Sequence, residues 1–178
     1  MAEIILARHA ESYANKRDFA AFGNKESPLT DHGKAQTKRM NQTFSGEFGI
    51  VTEDYIRPVL ASSFVRTQQT ARLVGFNVIH ISPKIDEARV DEEVMSGISP
   101  VYKHATERWV PDSLKQPVVS FLDDLQEGRL NYEIYFTHGM FIAGLVLECE
   151  ARGIDHGMTF DAERGYVPLQ ATLVKLVL

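Results

Sequence analysis

Two arginines and two histidines in this sequence lie at, or just behind, the ends of short apolar runs. The runs IILA, VLASS and IYF each stop where strongly polar residues begin, and the four residues are Arg8, His9, Arg66 and His138. An arginine side chain presents a planar fork of N–H donors that matches phosphate oxygens, and it stays charged at any relevant pH. Without an anion such a cluster would suffer like-charge repulsion and desolvation, so phosphate binding explains it better than stability does.

The elements that must position these residues are predicted to alternate between strand and helix. Such alternation indicates an α/β fold, a three-layer α/β/α sandwich with a mainly parallel central sheet and a ligand site at the carboxyl ends of its strands. We interpret the three apolar runs as strands, so the four polar side chains should face one crevice. Helices that begin near Phe64 and Met140 would direct the positive ends of their dipoles at the same ligand.

Apolar periodicity and turn residues predict the bounds of these elements. Strands are predicted within residues 3–7, 57–63, 77–82, 132–140 and 167–178. Helices are predicted within residues 28–44, 64–76, 113–128 and 141–152. We expect Thr30 to cap the first helix, Gly75 to end the second, and Pro117 to lie in the first turn of the third. The last strand is apolar enough that we expect it to be largely buried.

Size and composition narrow the class of protein. A chain of 178 residues with 44% apolar residues suits one domain, residues 1–178. The formal charge of −5 argues against a nucleic-acid partner. A single cysteine, Cys149, excludes an internal disulfide and a cysteine-based zinc site, and no His-x-x-x-His spacing supplies metal ligands. The N-terminal apolar run is too short for a signal peptide or a membrane span, so we expect a cytoplasmic protein with no membrane partner.

Four segments of the sequence resemble the motifs of the histidine phosphatase superfamily, the fold of the cofactor-dependent phosphoglycerate mutases. LARHAESYAN is similar to the family's Arg-His-Gly-Glu-Ser signature with its following Asn, and LTDHGKAQ to its Leu-Thr-x-x-Gly-x-x-Gln segment. ASSFVRTQQTA is similar to its Ser-Ser-x-x-x-Arg-x-x-x-Thr-Ala segment, and FTHGMFI to the segment of its second histidine. The matches follow the family's order over residues 5–142. The departures are Ala10, where the family usually has Gly, and Phe64, where Pro is common; neither removes a reacting group.

The resemblance implies a role for each residue of the cluster. His9 would be the nucleophile and would carry the phosphoryl group as a transient phosphohistidine. Side-chain donors and one backbone N–H would bind the phosphate oxygens and stabilise the transition state: Arg8, Asn15, Arg66, His138 and Gly139. Because arginines already neutralise the phosphate, the resemblance implies no cofactor and no metal.

A departing alkoxide also needs a proton, which in this family comes from a carboxylic acid after the third strand. Glu87 is our choice, because PKIDE resembles the apolar-x-Glu pattern at that place. Glu92 and Glu93 lie close by, and Glu93 is followed four residues later by Gly97, as the family's acid often is. The three glutamates remain alternatives, and Glu87 could also be a solvated surface carboxylate.

The leading functional hypothesis is a histidine-type acid phosphatase, a phosphohydrolase acting on a small phosphorylated metabolite. The alternatives are a phosphoglycerate mutase, a phosphohistidine protein phosphatase and a non-catalytic phosphate-binding module. Length favours the hydrolase, because the family's mutases carry longer insertions that exclude water. Only residues 83–112, rich in charge and proline, could form a lid here.

Several polar side chains outside the central cluster could contribute to specificity or be ordinary surface. Basic residues could meet a second anionic group of the substrate or be solvated: Lys16, Arg17, Lys25, Lys103, His104 and Arg108. Histidines outside the matched segments are expected to have solvated or structural roles: His32, His80, His104 and His156.

Overall fold

A five-stranded β-sheet forms the centre of the protein in the computed structural model, which describes residues 3–16, 24–87 and 99–177. The strands are β1 (Glu3–Arg8), β2 (Val59–Ser62), β3 (Ile79–Ser82), β4 (Ile134–Thr137) and β5 (Leu173–Val177). They lie in the order β3-β2-β4-β1-β5. The pairs among β1 to β4 are parallel, whereas β5 runs antiparallel to β1. The mainly parallel sheet predicted from the sequence is therefore confirmed.

The α-helices of the described residues are α1 (Asp31–Glu47), α2 (Val65–Val74), α3 (Pro100–Glu107), α4 (Asp112–Gln126) and α5 (Gly139–Ala151). Short 3-10 helices lie at Tyr13–Lys16, Thr52–Asp54 and Pro83–Ile85. None of the helices in the described part of the chain is both long and apolar enough to span a membrane.

Local sequence explains where several helices begin and end. Thr30 caps α1 as predicted, because its Oγ1 accepts a hydrogen bond from the Gly33 N–H at 3.0 Å. Gly75 ends α2 with a φ of 117°, which a residue with a Cβ rarely adopts. The expectation for Pro117 was wrong, because α4 begins at Asp112 and Pro117 lies inside the helix, beyond its first turn. The helix continues past it because the following turns bury an apolar face.

Helices cover both faces of the sheet, which confirms the three-layer sandwich. Successive side chains of β1 point to opposite faces, as the pleat of a strand requires. Ile4 and Leu6 belong to the core that α4 and α5 cover, whereas Ile5 and Ala7 belong to the core that α1 and α2 cover. The apolar run IILA is therefore buried on both sides of the sheet.

Two expectations about the later part of the chain differ from the structure. The last strand is short, Leu173–Val177, and only Val174 and Leu176 in it are buried, because β5 is an edge strand with a solvated face. Residues 83–112 contain the helix α3, although their charge and proline content did not predict a helix. Pro100 is compatible with a helix here because it lies in the first turn, where its missing N–H is not needed. A lid in this region stays a prediction, since residues 88–98 lie outside those described.

Candidate active site

The carboxyl ends of β2, β4 and β1 lie side by side and carry the polar residues singled out in the sequence. Arg8, the last residue of β1, is in register with Thr137, the last residue of β4. His9 and His138 follow these ends directly, and their ring centroids are 5.2 Å apart. Arg66 comes from the first turn of α2 and contacts both rings. The convergence expected for parallel strand ends thus brings the four residues together.

The imidazole of His9 is held in one orientation and one tautomer. Its Nδ1 lies 2.7 Å from the carbonyl oxygen of Ala10, and a carbonyl only accepts, so Nδ1 carries the proton. Nε2 is then unprotonated and accepts a hydrogen bond from Nε of Arg66 at 3.2 Å. Burial, with the charges of Arg66 and Arg8, lowers the pKa of His9 well below 6.5. His9 is therefore neutral at neutral pH, with its lone pair on Nε2.

Arg66 is a fully buried cation, only 1% exposed. Its guanidinium lies over the ring of Phe64, 4.4 Å from the centroid. Nη1 donates to the carbonyl oxygen of Asn24 at 3.0 Å, and Nη2 lies 3.4 Å from Nδ1 of His138. Burial lowers the pKa of Arg66 to about 10, against the opposing effect of the Glu87 carboxylate. Arg66 thus keeps its charge at neutral pH in a site from which water is largely excluded.

The guanidinium of Arg8 reaches the site past Gly139, where α5 begins. A Cβ built on Gly139 would lie 2.9 Å from Cζ and 3.0 Å from Nε of Arg8, so only glycine leaves room for this side chain. Nη1 donates to the carbonyl oxygen of Pro168, whereas the buried Nε has no hydrogen-bond partner among the described residues. Burial lowers the pKa of Arg8 to about 10, and Glu87 opposes that shift. A charged, buried donor without a partner is what a bound anion would satisfy.

His138 is the N-cap of α5 and is completely buried. Its Nε2 lies 2.7 Å from the hydroxyl oxygen of Ser62, and its ring packs edge-on against Phe64 at 4.7 Å between centroids. Burial, followed by the charge of Arg66, lowers the pKa of His138 well below 6.5. The ring is therefore neutral and oriented, with Nδ1 on the side of Arg66.

Glu87 lies against the same cluster. It is 8% exposed, and its Oε2 is 3.7 Å from Nδ1 of His138. The reading of Glu87 as a solvated surface carboxylate is therefore wrong. Glu92 and Glu93, the alternative acids, lie outside the described residues.

Hydrogen bonds hold the segment before Glu87 against the ends of two strands. Asp86 accepts hydrogen bonds from the N–H of Ser63 at 2.7 Å and from its hydroxyl at 2.6 Å. Lys25 forms a salt bridge with Asp86 at 2.8 Å. The hydroxyl of Thr137 donates to the carbonyl oxygen of Ile85 at 2.7 Å. The position of the carboxylate is thus set by the sheet, and a local sequence pattern alone would not show this.

The charge of the cluster suits an anion better than a cation. One donor atom from each of His9, Glu87 and His138 lies within 4.8 Å of the others, a spacing that could hold a metal ion. Arg66 and Arg8 are close enough for their charges to lower the pKa of both histidines. Two fixed positive charges beside one carboxylate would oppose a divalent cation and attract a phosphate.

The segment LTDHGKAQ holds the loop that follows His9, without itself reaching the cluster. The hydroxyl of Thr30 donates to the carboxylate of Glu11 at 2.6 Å, and Oε1 of Gln36 accepts from the Glu11 N–H at 2.8 Å. Gly33 packs so closely that an added Cβ would lie 2.0 Å from the Glu11 carbonyl oxygen. Thr30, Gly33 and Gln36 therefore fix the position of Glu11, and through it the loop that follows His9.

Asn15 and Gly139 were the remaining predicted phosphate donors. Oδ1 of Asn15 accepts hydrogen bonds from the N–H and the hydroxyl of Ser12 at 2.8 and 2.9 Å, so this oxygen shapes the loop after His9. Gly139 is the first residue of α5, where backbone N–H groups lack intrahelical partners. Contact of either residue with a phosphate stays a prediction.

Sequence reasoning missed several groups that shape the cluster. Ser62 and Thr70 lie in the segment ASSFVRTQQTA, so the motif contained them without indicating what they contact. The carbonyl oxygens of Asn24 and Pro168 accept from the two arginines. Any residue type carries a carbonyl, so no sequence signal could have found these two.

The other basic residues contact separate partners in the described part of the chain. The contacts are Lys16 with Glu11, Lys25 with Asp86, Lys103 with the ring of Trp109, and Arg108 with Glu150. His104 is buried and its Nδ1 bonds the Trp109 carbonyl at 2.7 Å, which is a structural role. His32 and His80 are exposed, and His156 lies 3.7 Å from Glu150. Arg17 lies outside the described residues.

Comparison with protein families matches residues 4–166 to the histidine phosphatase superfamily (branch 1). The matched range contains every residue of the cluster described above. A search of curated proteins gave no match.

Solved structures from several bacteria share the fold. A protein of Escherichia coli str. K-12 substr. MG1655, provisionally named an alpha-ribazole-5'-P phosphatase, is 22% identical with a TM-score of 0.64, over 98% of this chain and 90% of that one. TTHB049 of Thermus thermophilus is 21% identical with a TM-score of 0.58, over 97% and 92%. The open reading frame Rv3214 product of Mycobacterium tuberculosis is 17% identical with a TM-score of 0.61, over 98% and 90%. At these identities the likeness establishes the fold.

Proposed function

The chain belongs to branch 1 of the histidine phosphatase superfamily, whose activities are phosphatase or mutase, and from that membership we propose that it hydrolyses small phosphomonoesters through a phosphohistidine on His9. The observation that carries the proposal is the state of the His9 ring. Nδ1 donates to the Ala10 carbonyl, so Nε2 is unprotonated, and it accepts a hydrogen bond from Nε of Arg66. A nucleophilic nitrogen next to a phosphate-binding group is the arrangement that phosphoryl transfer requires.

In the first step, an oxygen of the bound phosphate takes over the N–H that Arg66 directs at His9, which frees the lone pair of Nε2 to attack phosphorus in line with the leaving oxygen. The N–P bond forms as the P–O bond to the alcohol breaks. Arg8, Arg66 and His138 donate to the three equatorial oxygens, and each such donor typically contributes roughly 100- to 1,000-fold in rate. The negative charge of the bound phosphate favours the neutral form of the Glu87 side chain, which gives its proton to the departing oxygen. The products are a free alcohol, a phosphohistidine and the Glu87 carboxylate.

In the second step, a water molecule attacks phosphorus from the side that the alcohol has left. The Glu87 carboxylate takes a proton from this water, the N–P bond breaks, and the electron pair returns to Nε2 of His9. Inorganic phosphate leaves and Glu87 is protonated again. One water is consumed in each cycle. The positive charge that the transferred group needs comes from Arg8 and Arg66, so the steps proceed without a metal.

The burial of the reacting groups supports a small substrate. His9, Arg66 and His138 are each no more than 1% exposed. To place a phosphohistidine next to these buried groups, a folded protein substrate would have to fit part of its surface into the site, whereas a small phosphomonoester would not. Residues 83–112 would contain a lid over the bound substrate, and their described parts are residues 83–87 and 99–112, which include α3.

A panel of phosphate esters tests the proposed reaction. It would contain sugar phosphates, 2- and 3-phosphoglycerate, nucleotides, p-nitrophenyl phosphate and alpha-ribazole-5'-P, the last because it occurs in a neighbour's name. With metal chelated, we expect release of inorganic phosphate from several of them. The variant His9→Ala should release none, whereas His80→Ala, which changes an exposed histidine bonded to Tyr132, should keep wild-type rates.

Other outcomes of the same panel would assign other functions. Interconversion of 2- and 3-phosphoglycerate without phosphate release would identify a mutase. Faster release from a phosphohistidine protein than from every small ester would identify a protein phosphatase. Ligand binding without any product would identify a binding module. Each of these results would overturn the proposed hydrolysis of small esters.

A further inference from the structure

Thr70 is a buried residue of α2 that joins this helix to the chain after the candidate nucleophile. Its side chain is completely buried. Its Oγ1 donates to the carbonyl oxygen of Arg66 at 2.7 Å, which is a common bond for a helical threonine. The same oxygen accepts a hydrogen bond from the N–H of Ala10 at 3.1 Å, and Ala10 lies on a different element, 60 residues earlier in the chain.

Thr70 thereby closes a ring of four hydrogen bonds. Nδ1 of His9 donates to the Ala10 carbonyl, and the Ala10 N–H donates to Oγ1 of Thr70. Oγ1 of Thr70 donates to the Arg66 carbonyl, and Nε of Arg66 donates to Nε2 of His9. All four residues are buried, so the hydrogen-bond partner of each group in the ring is the next residue of the ring and not water.

We propose that Thr70 is a positioning residue that holds His9 in the Nδ1–H tautomer by fixing Ala10. This inference rests on the proposed function, in which Nε2 of His9 attacks phosphorus. Ala10 is held at its N–H by Thr70 and at its carbonyl by His9, so a shift at one end moves the other. The opposite tautomer would place a proton on Nε2, where it would face the Nε–H of Arg66 and could not attack.

Removing the hydroxyl should therefore slow the chemical step more than it weakens substrate binding. The Ala10 N–H would lose its acceptor in a buried place, and the carbonyl that orients His9 would shift. Arg8 and His138 would remain to bind phosphate, so KM should change little. A displaced catalytic group of this kind costs on the order of 100-fold in kcat.

The test compares three variants of Thr70 with a matched control on the same helix. Thr70→Val keeps the shape and removes the hydroxyl, Thr70→Ala removes both, and Thr70→Ser restores the hydroxyl. The control is Thr67→Val, since the buried Thr67 hydroxyl bonds the carbonyl oxygens of Ser62 and Phe64 and not the N–H of Ala10. The readouts are the ¹⁵N shifts of the His9 imidazole, which report its tautomer, and kcat and KM for p-nitrophenyl phosphate.

We expect Thr70→Val and Thr70→Ala to shift His9 toward the Nε2–H tautomer and to lower kcat. Thr70→Ser should restore both, and Thr67→Val should leave the tautomer as in the wild type. An unchanged tautomer in a folded Thr70→Val protein would overturn the proposal, whatever its activity. If Thr70→Val and Thr70→Ala both fail to fold, the tautomer of His9 is measured in the wild-type protein. An Nε2–H tautomer in the wild type would also overturn the proposal.

Failure of the proposed function would look different. In that case the His9→Ala variant would still turn over substrate, while the tautomer shifts in the Thr70 variants could remain. The tautomer measurement needs no substrate, so it tests the positioning role separately from the reaction.

Discussion

Replacing Gly139 with alanine should damage catalysis through Arg8 while leaving the fold intact. Ordinary contact of a Cβ begins at 3.4 Å, and the added Cβ would lie 2.9 Å from Cζ of Arg8, a difference of 0.5 Å that the guanidinium must give up. The new Cβ cannot relieve this overlap by moving toward Val167, because Cγ1 of Val167 also lies 2.9 Å from it. Arg8 would therefore shift relative to the phosphate position, with its Nη1 held at the Pro168 carbonyl.

The expected loss in kcat/KM for Gly139→Ala is about 10- to 100-fold, less than the roughly 100- to 1,000-fold for complete removal of one transition-state donor. That loss corresponds to about 1.4 to 2.8 kcal/mol of transition-state stabilisation. The overlap with Arg8 and Val167 should also lower the free energy of unfolding by about 1 to 3 kcal/mol, which leaves a folded protein. Steady-state kinetics with p-nitrophenyl phosphate and thermal unfolding measure the two effects.

Gly144→Ala is the matched control, because Gly144 lies on the same helix. There the added Cβ would approach the side chains of Val110 and Val118 at 3.2 Å, and no residue of the cluster. We expect this variant to keep wild-type kinetics. Wild-type kcat/KM in Gly139→Ala, or equal losses in the two variants, would refute the idea that Gly139 makes room for Arg8.

Two further predictions follow from the proton chemistry of the site. In single-turnover experiments, Glu87→Gln should slow phosphoryl transfer from alkyl phosphates about 100- to 10,000-fold. Transfer from p-nitrophenyl phosphate should slow far less, because nitrophenolate leaves without a proton. Equal losses on the two substrates would show that Glu87 is not the proton donor. Burial holds the pKa of His9, His138 and His104 below 6.5 in the folded protein, so below that pH the unfolded chain binds more protons than the native one. The free energy of unfolding should then decrease as pH falls from 6.5, by up to about 1.4 kcal/mol per pH unit for each histidine; urea titrations that give equal values at neutral and mildly acidic pH would contradict this.

The grouping of Arg8, His9, Arg66 and His138 could be predicted because it follows from local patterns. Each residue lies close behind an apolar run, and the carboxyl ends of neighbouring parallel strands meet at one edge of a sheet. The sequence predicted Glu87 less firmly, since three glutamates fit the pattern. Its choice depends on where the segment after β3 folds, and hydrogen bonds from Ser63 and Thr137 determine that.

Contacts between backbone carbonyls and distant side chains could not be predicted. The carbonyl of Pro168 accepts from Arg8 across 160 residues of chain, and no residue type signals such a contact. The last strand was predicted too long for a related reason, because apolar residues before Leu173 pack as turns against the site instead of joining the sheet. Tyr166 and Val167 are buried there without being in a strand.

Direct detection of a phosphoryl group on His9 tests the central claim. The wild-type protein would be mixed with a phosphomonoester, quenched rapidly in alkali and digested, and the phosphorylated peptide sequenced by mass spectrometry. We expect an acid-labile, alkali-stable phosphoryl group on His9 that forms and decays at rates compatible with turnover. A phosphoryl group on another residue, or full turnover by the His9→Ala variant, would contradict the account.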